Sequence, residues 1–275
     1  MSLALHTAVS NSSSSTHALL DPLRAILRDE PARAAHVGLT IERIVEFAFE
    51  DECHELVRVR LAGPYAGHDP IRLGLFAGIH GDEPAGCSAL VEFAVALANE
   101  PARAAGYELF LYPVLNPVGL SRGTRANHSG KDLNREFWRG STEVEVQAME
   151  RELRANAFHG IITLHADDTC EGVYGYAHGR TLNEALLTPA LAAAKRFLPV
   201  DERGVIDGFP ARSGLICDCF PGVLAAPPEQ RPQPFDLIFE TPAHATFSAQ
   251  VAATVAALDA IIATYPGFIS YAQDL

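Results

Sequence analysis

Two histidines and one glutamate occupy positions that suit metal ligands. In the run Leu73-Gly-Leu-Phe-Ala-Gly-Ile-His80-Gly-Asp-Glu83, His80 ends an apolar strand and Glu83 stands at the mouth of a helix. A second apolar strand, Ile161-Ile-Thr-Leu-His165, also ends on a histidine. Strand ends at the carboxyl edge of an α/β sheet can lie side by side and form a site. Two histidines and one carboxylate leave the fourth position of zinc to water, so the sequence predicts one Zn2+ held by His80, Glu83 and His165.

Each of these residues also has an ordinary structural interpretation. His80 with Glu83 could be a solvated turn histidine beside a helix-start glutamate, and His165 a hydrogen-bonded histidine in a polar pocket. The metal interpretation gains from their combination, and from Gly78 and Gly81, which remove side chains that would crowd an ion. The same ligands also occur in non-haem iron oxygenases, although the alternation of strands and helices argues against that class.

A basic segment that follows the first two ligands could bind an anion. Asn116-Pro-Val-Gly119 is followed by Arg125-Ala-Asn-His-Ser-Gly-Lys-Asp132-Leu-Asn134-Arg135-Glu-Phe137. An arginine guanidinium donates two hydrogen bonds to a carboxylate and thereby orients it. The segment therefore predicts an anionic group on the substrate. Arg122 and Arg139 are equally well explained as ion-paired surface residues.

Glu240 ends a third apolar strand, Phe235-Asp-Leu-Ile-Phe-Glu240. Considered alone, it could be a strand-end glutamate in an ordinary ion pair. A carboxylate without a partner would be costly to bury after Leu237, Ile238 and Phe239. This cost favours a functional partner for Glu240.

The order of these motifs resembles that of the zinc metallocarboxypeptidases. That family presents His-x-x-Glu, then the arginine and Asp-x-Asn-Arg segment, then a strand-end histidine and a strand-end glutamate, and the likeness covers residues 70 to 262. The sequence His80-Gly-Asp-Glu83 resembles the corresponding motif of the branch that includes succinylglutamate desuccinylase, aspartoacylase and murein-tripeptide amidases. The resemblance implies a zinc carboxypeptidase-like fold and hydrolysis of an amide next to a carboxylate, in a peptide or an N-acyl amino acid.

Carried over to this sequence, the resemblance implies a role for each residue of the reaction centre. His80, Glu83 and His165 would hold the zinc, and Glu240 would be the general base that takes a proton from zinc-bound water. Arg125 would stabilise the tetrahedral oxyanion.

The resemblance also assigns residues around that centre. Asn134 and Arg135 would grip a carboxylate of the substrate. Asp132 would accept the second ring N–H of His80 and so fix its tautomer. Without the family likeness, Asp132 is equally well explained as an Asx-turn residue in a loop.

The tyrosines depart from the family pattern. Metallocarboxypeptidases usually carry a mobile tyrosine well after the second zinc histidine, but here only Tyr174 and Tyr176 lie between His165 and Glu240, both close to His165. This favours small acidic amides or peptides over ordinary peptide tails. Arg212 could add an anion contact, although it is more simply a surface arginine. A non-catalytic zinc-containing protein that binds a small acidic ligand is the other alternative, which the presence of Glu240 argues against.

The composition favours a soluble cytoplasmic enzyme. The 275 residues suffice for one large core, and the net charge of −13 disfavours nucleic acid and anionic membranes as partners. The amino terminus lacks the basic start of a secretory signal, and we expect no membrane-spanning segment. The five cysteines have no framework spacing and suit a reducing cytoplasm. Cys217 and Cys219 are predicted to be part-buried thiols rather than a metal pair.

Apolar strands alternate with helices from Ile71 onward. This alternation predicts a single α/β domain with a mixed, largely parallel central sheet flanked by helices. We expect strands at 71–79, 107–115, 160–165 and 235–240. We expect helices from Pro84 to Pro101, from a capping box at 142–145, and over 248–265 with Pro266 as the stop.

The amino-terminal quarter has a different pattern. Residues 1–16 are predicted to be disordered. Residues 17–70 are predicted to form a helix and a hairpin, with strands at 39–49 and 55–61, packed on a catalytic domain of residues 71–275.

Overall fold

The computed structural model describes residues 13–65, 69–178, 180–216 and 218–273. Its helices are α1 (Ser13–Asp29), α2 (Pro31–His36), α3 (Pro84–Asn99), α4 (Pro117–Arg122), α5 (Val144–Asn156), α6 (Arg180–Leu182), α7 (Thr188–Ala194) and α8 (Phe247–Gln273), with a π-helical turn at Asn183–Leu187. Its strands are β1 (Thr40–Phe49), β2 (Glu52–Ala62), β3 (Ile71–Phe76), β4 (Tyr107–Tyr112), β5 (Gly160–Asp167), β6 (Tyr174–Ala177), β7 (Val205–Ile206), β8 (Phe209–Arg212), β9 (Leu215–Ile216) and β10 (Phe235–Pro242).

All ten strands belong to one sheet in the order β1-β2-β4-β3-β5-β10-β6-β9-β8-β7. The four central strands β4, β3, β5 and β10 are mutually parallel. Antiparallel pairs flank them on both sides, and β6 with β9 is the other parallel pair. The predicted mixed sheet flanked by helices is therefore confirmed, with a parallel centre, although antiparallel pairs outnumber parallel ones in the whole sheet, which was predicted to be largely parallel.

Side chains of the central strands alternate between two cores. Leu73, Leu75, Leu237 and Phe239 pack against α1, α3, α7 and α8 on one face of the sheet. Phe76, Phe110 and Tyr112 point to the other face and pack against α5. Both faces are buried, which explains why these strands are nearly continuous apolar runs in the sequence.

Several predicted boundaries change in the structure. Residues 1–12 of the predicted disordered segment lie outside the described residues, and α1 already includes its last four residues. The predicted capping box at 142–145 is wrong, because Glu143 is the residue before α5 and makes no side-chain cap. The carboxylates of Glu143 and Glu145 instead face Asn127 and His128.

Helix α8 also differs from its prediction, because it runs through Pro266 to Gln273. Its segment Phe247–Ile269, with a mean hydropathy of 1.5, is long and apolar enough to cross a membrane by length and composition, contrary to our expectation. Half of that segment is buried inside the protein. Leu258, Ile261 and Ile262 form part of the main core, as expected for the central helix of a folded domain.

A buried tyrosine explains how α8 continues past its proline. Pro266 has no N–H, so the carbonyl of Ile262, four residues earlier, loses its usual helical donor. The hydroxyl of Tyr107 on β4 donates a hydrogen bond of 2.8 Å to that carbonyl. The sheet thus replaces the donor that the helix lacks, and the chain need not stop at Pro266.

We expect Tyr107→Phe to lower the free energy of unfolding by about 1–3 kcal/mol, since it leaves a buried carbonyl without its donor. Urea unfolding would measure the change. Tyr65→Phe is the matched control, because Tyr65 is 93% exposed and should have little effect. Equal stability of Tyr107→Phe and the unsubstituted protein would remove this explanation of α8.

Candidate active site

The three predicted metal ligands lie together at the carboxyl edge of the sheet. His80 follows β3, Glu83 immediately precedes α3, and His165 lies within β5, the strand next to β3. Their ligand atoms all lie within 4.8 Å of one another, and all three residues are buried. Glu83 bridges the histidines, with Oε1 2.6 Å from His80 Nδ1 and Oε2 3.0 Å from His165 Nδ1.

Asp132 makes the contact with His80 that the motif predicted. Asp132 Oδ1 lies 3.1 Å from His80 Nε2 and also accepts a hydrogen bond of 2.9 Å from the backbone N–H of Asn134. Its other oxygen accepts two hydrogen bonds from the guanidinium of Arg125. Arg125 also points at the cluster, with one nitrogen 3.4 Å from Glu83 Oε1. Arg125 and Asp132 therefore join the predicted ligands directly.

The electrostatics of this cluster favour ionised carboxylates. Burial alone would raise the pKa of Glu83, but the attraction of His165 and hydrogen bonds with both histidines hold it below its usual range. Burial opposes ionisation of Asp132 as well, yet His80 and Arg125 keep its pKa low. Burial lowers the pKa of His165, which favours the neutral ring that a metal requires.

Glu240 lies beside this cluster on the neighbouring strand. In the parallel register of β10 with β5, Glu240 is paired with His165, so the two side chains point to the same face. Glu240 makes no hydrogen bond or ion pair with another described residue. Burial, followed by the nearby charges of Glu83, Asp167 and Asp207, raises its pKa well above the usual value. A carboxylate of this kind is poised to accept a proton.

Asn134 and Arg135 line the same cavity, which has a volume of about 480 Å3. The side-chain carbonyl of Asn134 accepts a hydrogen bond of 2.8 Å from the N–H of Leu224, which leaves its NH2 group for a ligand. The guanidinium of Arg135 stacks over the ring of Phe220, 4.7 Å from its centre. Arg135 forms no ion pair within the described chain, so it is a cation available to an anion.

Strands beyond Glu240 supply an apolar wall that the sequence did not reveal. Ile238 precedes Glu240 on the same face of β10, pairs with Tyr176 on β6, and Tyr176 pairs with Ile216 on β9. Phe209 and Phe220 make an edge-to-face contact with 5.0 Å between their ring centres. All five residues line the cavity, together with Tyr174, Cys219 and Val223.

Tyr174 and Tyr176, which lie closer to His165 than the tyrosine of the family pattern, both line the cavity. Tyr174 pairs with Glu240 in the antiparallel register of β10 and β6, and its hydroxyl donates to Asp167 Oδ2 at 3.0 Å. The alternation Tyr174-Gly-Tyr176 was the sequence signal that could have identified them, since alternate residues of a strand share one face.

One other sequence interpretation changes. Gly78 and Gly81 do not make room for a metal. A Cβ on Gly81 would lie 1.9 Å from the backbone of Gly119, and Gly78 has a φ of +63°, so backbone packing requires both glycines.

The additional arginines stay outside the site. Arg122 pairs with Glu50 at 2.8 Å and stacks on Phe49. Arg212 is exposed at the end of β8 and is not among the residues that line the cavity. Cys219 is a free thiol in the cavity wall, and Cys217 lies outside the described residues.

The triad fits a divalent metal by its donor chemistry. Two imidazoles and one carboxylate are the ligand types of catalytic zinc sites. In addition, Asp132 faces the far nitrogen of His80, which is the usual outer support of a metal-bound histidine. Among the described residues, this is the one group of three or more histidine, cysteine or acidic side chains with such convergent atoms.

Comparisons with known proteins agree with this geometry. Residues 70–174 match the family model of the succinylglutamate desuccinylase/aspartoacylase catalytic domain. No curated protein sequence matches the chain. A candidate metallopeptidase of Shewanella baltica is similar in structure, with 25% identity over 90% of both chains and a TM-score of 0.70.

Two further structures share the fold. A candidate metallopeptidase of Shewanella amazonensis has 22% identity over 91% of this chain and 93% of its own, with a TM-score of 0.73. A metallo-carboxypeptidase of Burkholderia cenocepacia has 18% identity over 91% of this chain and 68% of its own, with a TM-score of 0.65. The resemblance predicted from the motifs is therefore confirmed: the described chain has the metallocarboxypeptidase fold, and residues 70–174 match the succinylglutamate desuccinylase/aspartoacylase catalytic domain.

Proposed function

We propose that this chain is a zinc-dependent hydrolase that cleaves an amide bond next to a carboxylate, in a peptide or an N-acyl amino acid. The observation that supports it best is the convergence of three features on one cavity. These are the buried triad His80, Glu83 and His165, the uncommitted carboxylate of Glu240, and the free cation of Arg135. The matching family and the metallo-carboxypeptidase neighbours indicate the same class of hydrolase.

His80, Glu83 and His165 would hold one zinc ion. When bound, zinc supplies a Lewis acid that polarises the amide carbonyl and lowers the pKa of a coordinated water. The three residues would be held in place by their neighbours. Asp132 would fix the ring of His80, and the N–H of Ala166, which donates to Glu83 Oε2 at 3.1 Å, would orient the carboxylate.

Glu240 would act as the general base and then as the acid. Its carboxylate accepts a proton from the attacking water and passes it to the amide nitrogen, which then leaves as an amine. The raised pKa of Glu240 suits the first transfer, because burial disfavours its charged form. Arg125 would offer its guanidinium to the negative charge that develops on the carbonyl oxygen.

Arg135 and the NH2 group of Asn134 would bind the carboxylate next to the scissile amide. Stacking on Phe220 limits the orientations of the Arg135 guanidinium, and its backbone-directed hydrogen bond to the carbonyl of Asn134, at 2.8 Å, limits them further. A pre-oriented fork binds a carboxylate at a lower cost in side-chain entropy.

The cavity walls favour one carboxylate and an apolar group on the same substrate residue. Ile238 lies two residues before Glu240 on β10 and pairs with Tyr176 on β6. A substrate side chain next to the cleaved bond would therefore meet an apolar surface. Aspartates at 82, 167, 168 and 207 also line the cavity and would repel a second carboxylate. Among the small acidic amides or peptides predicted from the sequence, we therefore favour those that carry a single carboxylate.

We propose a cytoplasmic location for this reaction. Cys53, Cys87, Cys170 and Cys219 are free thiols, which suits a reducing compartment.

Replacement of Glu240 by Gln should lower kcat about 10²- to 10⁴-fold while zinc content stays unchanged, because the amide cannot accept the proton. Hydrolysis rates and metal analysis on the same preparation would measure both. Glu202→Gln is the matched control, since Glu202 is an exposed glutamate outside the cavity. Full activity of Glu240→Gln would exclude Glu240 as the base.

Removal of metal should abolish hydrolysis, and one zinc per chain should restore it, because a catalytic site of this kind holds about one ion. Chelation followed by titration with zinc would give the stoichiometry. His165→Ala should prevent recovery, whereas the exposed-histidine variant His244→Ala should behave like the unsubstituted protein. Oxygen-dependent turnover that requires iron would instead identify the non-haem iron class.

For N-acyl amino acid substrates, we expect kcat/KM to rise with the apolar area that the amino-acid side chain buries against the apolar wall. Phenylalanine or leucine next to the carboxylate should raise kcat/KM about 10- to 100-fold over glycine, because full burial of such a side chain contributes roughly 1.5–3 kcal/mol. Phe209→Ala should reduce this preference, and the half-exposed Phe197→Ala should not. A preference for aspartate or glutamate at that position would contradict the proposed wall.

A further inference from the structure

The loop that carries Arg125 and Asp132 is closed by the side chain of one buried residue, Asn127. Asn127 is 6% exposed. Its side-chain oxygen Oδ1 accepts hydrogen bonds from the backbone N–H groups of Ser129 and Lys131, each at 3.0 Å. Its own backbone N–H donates to the carbonyl of Lys131 at 2.9 Å. The five residues 127–131 therefore form a compact turn organised around a single amide.

The other end of the same amide is fixed to helix α5. Asn127 Nδ2 donates to Glu143 Oε2 at 2.7 Å, and Glu145 Oε1 lies 3.5 Å away. Glu143 and Glu145 are 8% and 1% exposed, so both carboxylates are buried with the amide. A hydrogen bond to a buried carboxylate is stronger than one between neutral groups, so this contact can hold the turn in one place.

The turn at residues 127–131 lies between two residues whose side chains are hydrogen-bonded to each other. Arg125 precedes it and Asp132 follows it, yet their side chains form a two-point hydrogen-bonded pair at 3.0 and 3.2 Å. Asp132 also contacts His80, and Arg125 reaches Glu83. The conformation of residues 127–131 therefore determines where both side chains stand relative to the predicted metal ligands.

We propose that Asn127, anchored by Glu143, is a positioning residue that sets the placement of Arg125 and Asp132 at the reaction centre. It touches none of the reacting groups and does not line the cavity. The proposal rests on the proposed hydrolase function, since it acts through Arg125 and Asp132. It also gives a chemical reason for two buried carboxylates at the start of α5, where a capping box was expected.

Kinetics of a double-mutant cycle would test the proposal. Asn127→Ala should lower kcat/KM at least about tenfold, because two backbone donors and Glu143 lose their partner. In the Arg125→Ala background the same change should cost at least about twofold less than in the unsubstituted protein, since one of the two residues through which it acts is gone. Equal losses in both backgrounds, or an unchanged kcat/KM of folded Asn127→Ala, would overturn the positioning role.

A double variant that exchanges the hydrogen-bond donor and acceptor of Asn127 and Glu143 tests whether the lost activity can be rescued. Asn127→Asp keeps the acceptor for Ser129 and Lys131 but places a second carboxylate against Glu143, so kcat/KM should fall at least about tenfold. Adding Glu143→Gln reverses donor and acceptor, and N127D/E143Q should recover most of the loss. Failure of the double variant to exceed N127D in kcat/KM would contradict the anchor. Asn156→Ala, which removes a side-chain hydrogen bond at the far end of α5, is the control for general weakening.

Hydrogen exchange separates this proposal from the proposed function. The amides of Ser129 and Lys131 should exchange at least about tenfold faster in Asn127→Ala, and N127D/E143Q should restore their protection. This measurement requires no turnover. If the unsubstituted protein hydrolyses no amide, the proposed function fails, and the exchange rates alone decide whether Asn127 holds the turn. Unchanged exchange in Asn127→Ala would overturn the proposal even if the enzyme is active.

Discussion

The carboxylate of Glu83 is the interaction on which the rest of this site depends. It lies buried between two histidines that are far apart in the chain and accepts a backbone N–H from Ala166. A buried charge without such partners would cost several kcal/mol. The strand that His80 follows and the strand that carries His165 must therefore be neighbours, and the parallel pairing of β3 with β5 makes them so.

The same constraint orders the remaining residues of the site. Once β5 is fixed beside β3, the register of β10 with β5 brings Glu240 opposite His165. The pairing of β6 with β10 then adds Tyr174 and Tyr176 to the wall. The candidate metal cluster and the apolar wall of the cavity thus lie on neighbouring strands of one sheet, and a shift of one residue in any register would turn these side chains to the opposite face.

The cluster also illustrates how a fold accommodates several buried charges. Glu83 and Asp132 stay ionised because His80, His165 and Arg125 surround them, whereas Glu240 has no such cation in contact and its pKa rises. Carboxylates in one cavity are thereby driven towards different protonation states. Such divergence is what separates a ligand from a proton carrier in many hydrolytic sites.

The sequence alone predicted that His80, Glu83 and His165 cluster, the order of the motifs and a mixed sheet flanked by helices. It could do so because His80, His165 and Glu240 each end an apolar run, and runs of that kind become adjacent buried strands. Tertiary structure decided the rest. The apolar wall joins Tyr176, Phe209, Ile216, Phe220 and Ile238, which meet only through strand pairing and ring contacts. Helix α8 passes Pro266 because Tyr107, from a distant strand, replaces a donor, and Glu143 anchors Asn127 instead of beginning a capping box. Local patterns report which backbone groups need partners, but only the packed chain determines which side chains supply them.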